Sequence, residues 1–181
     1  MHMTSKRKTQ TFNPAVLPME YLPRLPYASD DKHARRYLIP GKVFAAAHPF
    51  ALSTIVGSSV ALCLWDSAHG IGGANHFMLP EGPEEGENAT RYANLANPTL
   101  LRRMLELGAE RKTLQARIFG GSLPTVTFGN TGDSVGDRNV QAVTSFLHMN
   151  GIRLFQSEVG GTHGRKLVFH TDDGRAWWEQ L

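Results

Sequence analysis

A chain of 181 residues with 41% hydrophobic and 19% charged residues can bury one real core and has little room for a second domain. No apolar run approaches the roughly 20 residues that span a bilayer, and the basic opening Met1-His2-Met3-Thr4-Ser5-Lys6-Arg7-Lys8 is not followed by a signal-type apolar stretch, so a cytoplasmic protein without membrane insertion is expected. The net charge of +3 resides in residues 1 to 50, with eight Lys/Arg against three Asp/Glu, while the rest holds eleven against thirteen; without interleaved aromatics this marks a solvated leader and argues against nucleic acid as a partner.

Pro14, Pro18, Pro23 and Pro26 preclude a long helix in the leader, which is expected to be an extended arm over residues 1–36, followed by a single domain over 37–181. Tyr37 to Phe44 has strand character broken at Pro40-Gly41, and Leu52 to Leu64 divides into two β-prone runs hinged at Gly57-Ser58. Gly70, Gly72 and Gly73 predict a turn before a short strand around His76 to Leu79, closed by Pro80. The acidic segment Glu81 to Glu87 reads as a loop. Leu95, Leu100, Leu101, Met104 and Leu105 recur at helical spacing up to Gly108, with Pro98 acceptable in a first turn. Leu114 to Phe119 alternates as a strand and runs into Gly120-Gly121 and a polar loop to Asp133. A second helix is expected from about Asp137 to Asn150-Gly151. The chain ends in β-structure: Ile152 to Val159, then a hairpin of Lys166 to His170 and Arg175 to Trp178 joined through Asp172-Asp173-Gly174. Strands at both ends with helices between them give an α+β pattern, not a regular βαβ series.

The chemistry concentrates on Gly57-Ser58-Ser59. A nucleophile on a tight turn at the start of a strand stands clear of the sheet, with backbone N–H groups free to face an oxyanion. His76, 17 positions on and beside Phe77 and Met78, reads on general grounds as a satisfied core histidine and as a base only in the right company, and a hydroxyl such as that of Ser53, six positions before Ser59, can orient an imidazole or a water. The single cysteine, Cys63, excludes an internal disulfide and a cysteine-based metal site. Four strand residues place it about 13 Å from position 59, so it reads as a small buried apolar residue. His69 with His76, and His163 with His170, are pairs without the flanking ligands of a zinc site, and no Gly-Gly step has phosphate-loop context. No metal or cofactor is expected.

The stretch Gly57 to Asp66, followed by Gly70-Ile71-Gly72-Gly73-Ala74-Asn75-His76-Phe77-Met78-Leu79-Pro80, resembles the active-site segment of the CheD family, the chemoreceptor glutamine deamidases of bacterial chemotaxis. Phe119-Gly120-Gly121-Ser122, Val135-Gly136-Asp137-Arg138-Asn139 and Gly160-Gly161-Thr162-His163-Gly164-Arg165-Lys166 resemble further motifs of that family in the same order, so the likeness covers about residues 38 to 170. It implies two β-layers flanked by helices, as in deamidating-toxin-like cysteine hydrolases. It also implies hydrolysis of receptor glutamine amides to glutamate and ammonia, with His76 as base and Ser53 in the place of an assisting Thr.

The family's nucleophile is a Cys, and Ser59 occupies its position. A thiolate can be formed beside a His, whereas a serine must lose its proton during attack; as written, the chain is expected to be inactive or nearly so. The resemblance further implies receptor cytoplasmic helices as substrate and a CheC-type phosphatase as a possible partner. The alternative is a non-catalytic binding module that docks the same proteins. Arg138 and Arg165 read as structural clamps or as contacts to an acidic receptor helix.

Overall fold

In a computed structural model, described over residues 32–86, 88–123 and 133–181, two β-sheets face each other and two α-helices cover the outer face of the second. The leader up to residue 31, Glu87 and the centre of the polar loop before Asp133 lie outside the described residues. The first sheet has the order β1 (Ala34–Tyr37), β3 (Phe50–Val56), β8 (Arg165–His170), β9 (Ala176–Gln180). The second has the order β2 (Val43–Ala46), β5 (Ile71–Phe77), β4 (Val60–Asp66), β6 (Leu114–Gly120), β7 (Arg153–Val159). The helices are α1 (Ala93–Glu106) and α2 (Val135–Met149). This is the α+β class expected of the sequence.

Strand alternation explains the layering. In β4 the side chains of Val60, Leu62 and Leu64 join Leu100 and Met104 of α1 and Val143, Phe146 and Leu147 of α2 in one core. Ala61 and Cys63 point the other way and meet Leu52, Val56, Leu167 and Phe169 of the first sheet in a second core. The strand is buried on both faces, which is why its sequence is a continuous apolar run with no polar phase. Cys63 sits fully inside, and burial pushes its thiol up to about 12, so it is the inert apolar residue anticipated.

Several boundaries differ from the sequence reading, each for a tertiary reason. β1 begins at Ala34 and pairs in parallel with β3, so the sheet reaches back into the Pro-containing leader. Gly72 and Gly73 lie inside β5 and not in a turn: a side chain on Gly72 would strike the backbone of Thr171, and one on Gly73 would come 2.6 Å from the Phe44 carbonyl oxygen. They are flat strand positions over which neighbouring backbone passes. α1 starts at Ala93, whose N–H donates to the Leu79 carbonyl at 2.9 Å, and Pro98 therefore falls in the second turn. α2 starts two residues early because Ser134 caps it reciprocally with Asp137.

Candidate functional site

β3 leaves the first sheet at Val56, and Gly57-Ser58-Ser59 carries the chain across to β4 of the second. The nucleophile turn is thus the crossover between sheets. Ala61 is in register with His76 on β5, and His76 shares the phase of Ala74, which faces the inter-sheet core. From the opposite sheet Thr54 lies between Leu52 and Val56, both members of the same core. The site is a seam closed by one residue from the crossover, one from each sheet.

A continuous hydrogen-bond chain runs through it. Ser59 Oγ is 2.8 Å from His76 Nε2, His76 Nδ1 is 2.8 Å from Thr54 Oγ1, and the Thr54 hydroxyl donates to the Leu38 carbonyl at 2.8 Å. The carbonyl can only accept, so the single Thr54 proton is committed to it and Thr54 Oγ1 must accept from Nδ1–H. That assigns the tautomer: Nε2 carries the lone pair and accepts from Ser59. His76 is 1% exposed, and burial pulls it down to about 4 against the opposing hydrogen bond towards Leu38. At neutral pH the imidazole is uncharged. Its backbone is held on both sides, with Gly41 N–H donating to the His76 carbonyl at 2.6 Å and His76 N–H to Lys42 at 3.1 Å.

The hydroxyl that orients the imidazole is that of Thr54, which corrects the expectation for Ser53. Ser53 has the opposite strand phase, the one it shares with half-exposed Ile55, and its Oγ is buried without a hydrogen-bond partner. The signal was present in the sequence as period two: a hydroxyl at 54, in phase with apolar Leu52 and Val56, belongs to the core face.

Asn139 closes the motif Val135-Gly136-Asp137-Arg138-Asn139 but was given no role of its own by the sequence. It is 0% exposed, and its Nδ2 donates to the carbonyls of Ser58 and Met78, both at 2.9 Å. Ser58 precedes the nucleophile position and Met78 follows His76 by two residues. The first turns of α2 therefore tie the crossover to the end of β5.

The family model described as CheD chemotactic sensory transduction matches residues 78–180. "Probable chemoreceptor glutamine deamidase CheD 1" of Anaeromyxobacter dehalogenans is 41% identical over 148 residues, covering 82% of this chain and 85% of that protein. The chain belongs to the CheD family. "Probable chemoreceptor glutamine deamidase CheD" of Rhodospirillum rubrum is 43% identical, with 77% of this chain and 78% of that protein covered. Its counterpart in Rhizobium leguminosarum bv. trifolii is 45% identical, with 79% and 78% covered.

The motifs that carried the CheD resemblance surround the crossover in space. Gly121 N–H donates to the Ser59 carbonyl at 2.9 Å, Ser122 N–H to the Gly57 carbonyl at 2.9 Å, and Leu123 N–H to the Gly161 carbonyl at 2.8 Å. Gly136 of α2 packs so closely on Gly121 that a Cβ there would sit 2.6 Å from its carbonyl oxygen. Of the two arginines, Arg138 is exposed, and Arg165 lies 5.6 Å from the centre of the Trp178 ring. The histidine pairs read from spacing do not meet. His69 bonds Asp66 at 2.9 Å, His163 bonds Thr162 at 3.0 Å, and His76 is committed to Ser59 and Thr54.

The Asn139 bridge makes a prediction within the CheD fold. Asn139→Ala removes both donors and leaves two carbonyls unpaired, so urea unfolding is expected to show a loss of about 2 to 4 kcal/mol. Asn139→Asp keeps the shape but places a carboxylate against two carbonyl oxygens and is expected to cost at least as much at pH 7. Equal stability of the three chains would overturn the role assigned to the bridge.

Proposed function

We propose that this chain is built to hydrolyse the side-chain amide of chemoreceptor glutamines, releasing ammonia and leaving glutamate, and that Ser59 in the nucleophile position holds it at little or no turnover. The reading rests on the linear arrangement from Ser59 through His76 and Thr54 to Leu38, together with membership of a family whose relatives are named chemoreceptor glutamine deamidases. In the Cys form the thiol gives its proton to His76 Nε2 as the sulfur attacks the amide carbon and the carbonyl electrons move to oxygen. The N–H groups of Ser58 and Ser59 donate to no backbone carbonyl among the described residues and are available to that oxyanion. His76 Nε2–H then protonates the departing nitrogen as the C–N bond breaks. Water attacks the thioester with His76 as base, giving glutamate and the free thiol.

Ser59 fits this scheme poorly. Thr54 orients His76 but carries no charge, and among the described residues no carboxylate stands by the imidazole to stabilise the imidazolium that a serine mechanism must form, as a buried carboxylate does in serine hydrolases. That favours, as a second reading, a non-catalytic module that docks chemoreceptors or a CheC-type phosphatase.

Mass spectrometry of a receptor cytoplasmic fragment, incubated with the chain or with its Ser59→Cys variant, separates the two. Glutamine-to-glutamate conversion appearing only with Ser59→Cys is the expected result. A Ser59→Cys chain that binds the fragment and converts no glutamine would leave the docking reading.

A further inference from the structure

The two ends of β3 carry different chemistry. At the Val56 end lies the Ser59 seam. At the Phe50 end His33, which precedes β1, His170, the last residue of β8, and Asp172, in the β8–β9 turn, each bring one donor atom within 4.8 Å of the others. His33 Nε2 is 2.7 Å from Asp172 Oδ1, the two imidazole rings stack with centroids 3.8 Å apart, and Asp173 Oδ1 stands 3.9 Å from His170 Nδ1. Both histidines are buried, at 5% and 2% exposure. His170 Nδ1 is enclosed without a hydrogen-bond partner, although a buried polar atom left this way costs stability.

We propose that His33, His170 and Asp172 form a binding site for a divalent transition metal of the zinc type, with Asp173 or a solvent oxygen as the fourth ligand. Two imidazoles and a carboxylate are a donor set that such an ion takes in tetrahedral geometry.

The cations nearby do not close the site. Lys32 Nζ, on a side chain 64% exposed, meets Asp172 at Oδ2, the oxygen not bonded to His33, and Arg175 is engaged with Asp173. Donors on one zinc, at bonds of about 2.1 Å, lie about 3.4 Å apart, so the 4.8 Å spread of the cluster must contract while the 2.7 Å His33–Asp172 contact opens. The two rings are inclined at 25°, and binding requires them to tilt until one nitrogen of each faces a common point. The ion would join the segment entering β1 to the β8–β9 turn. Six residues of β3 separate the Phe50 end from the Val56 end, about 20 Å, so its role is structural and it does not enter the chemistry at Ser59.

The test is Zn²⁺ titration of the full, tag-free chain carrying His2→Ala, after chelator treatment, by calorimetry and thermal melting. One equivalent bound with a dissociation constant below about 10 µM and a raised melting temperature are expected. Asp172→Asn and His170→Gln should each weaken binding at least about tenfold, while His69→Ala should not. Co²⁺ added to the chain with its own cluster intact should give tetrahedral visible bands without thiolate charge transfer, a readout independent of how the variants fold. Binding weaker than about 100 µM, binding unchanged in both cluster variants, or binding lost with His69→Ala would overturn the proposal and leave a His33–Asp172 hydrogen-bonded latch.

Discussion

Glutamine conversion by the Ser59→Cys chain is expected to fall by about 10² to 10⁴-fold when His76 is also changed to Gln. The imidazole is the one titratable group within hydrogen-bond distance of position 59 among the described residues, and both of its nitrogens are committed: Nε2 to the nucleophile and Nδ1 to Thr54. The fall should be in kcat, with the affinity for the receptor fragment retained, because His76 is buried and offers little surface to a docking partner. Rate assays at saturating fragment, beside a binding measurement, check this. Equal turnover with and without His76 would remove it from the mechanism.

The same residue makes stability depend on pH with a definite sign. His76 lies at about 4, below its ordinary 6.5, so on acidification the unfolded chain takes up the proton first. Stability is therefore complete above about pH 6.5 and declines as the pH falls towards 4, by on the order of 3 kcal/mol from this group. His170, also lowered, contributes with the same sign. Denaturation midpoints of the chain and of His76→Gln across that window should converge as the pH drops, since the variant lacks this proton uptake.

Gly120→Ala is expected to be a severely damaging single-methyl change, with a loss of about 3 kcal/mol or more. Gly120 ends β6 at φ +113, where an added Cβ would run into the Ser59 carbonyl oxygen and stand 3.1 Å from Val56 Cβ. Neither can yield without displacing the crossover, because Gly121 N–H already bonds that same carbonyl. The control is Gly151→Ala. It too has positive φ, at +63, but nothing lies within 4 Å of its Cβ, so only the backbone penalty of about 1 to 2 kcal/mol applies. Urea midpoints of the two variants should differ clearly. Equal losses would mean that the close approach at Ser59 carries no weight.

These effects explain why part of the molecule was legible in its residues. The β3–turn–β4 unit is written in two apolar runs around Gly57-Ser58, α1 in leucine spacing before Gly108, and the final hairpin in Asp172-Asp173-Gly174. Such features depend on strand and helix periods and on the backbone freedom of a few glycines, all local properties. The family motifs were legible too, and with them Ser59 and His76.

What a motif meant was decided elsewhere. Phe119-Gly120-Gly121 and Val135-Gly136 are adjacent only after β6 and α2 converge on the crossover, and Asn139 reaches back 81 residues to Ser58. The preference for Thr54 over Ser53 followed from which face of β3 looks onto the second sheet. Pro98 in the second turn and Gly72-Gly73 inside β5 are consequences of neighbours that fixed where those elements begin.

By itself, then, the sequence determined the class of fold and the order of most elements, because these follow from periodicity, turn chemistry and residue type within short windows, and the nucleophile turn and the histidine that faces it were legible through the family motifs. Only the tertiary structure decided that Thr54 orients His76, that Asn139 ties the crossover to β5, and that His33 meets Asp172 across 139 positions. Those pairings arise from the packing of two sheets and a helical layer, in which partners are selected by strand register and burial and their separation along the chain has no bearing.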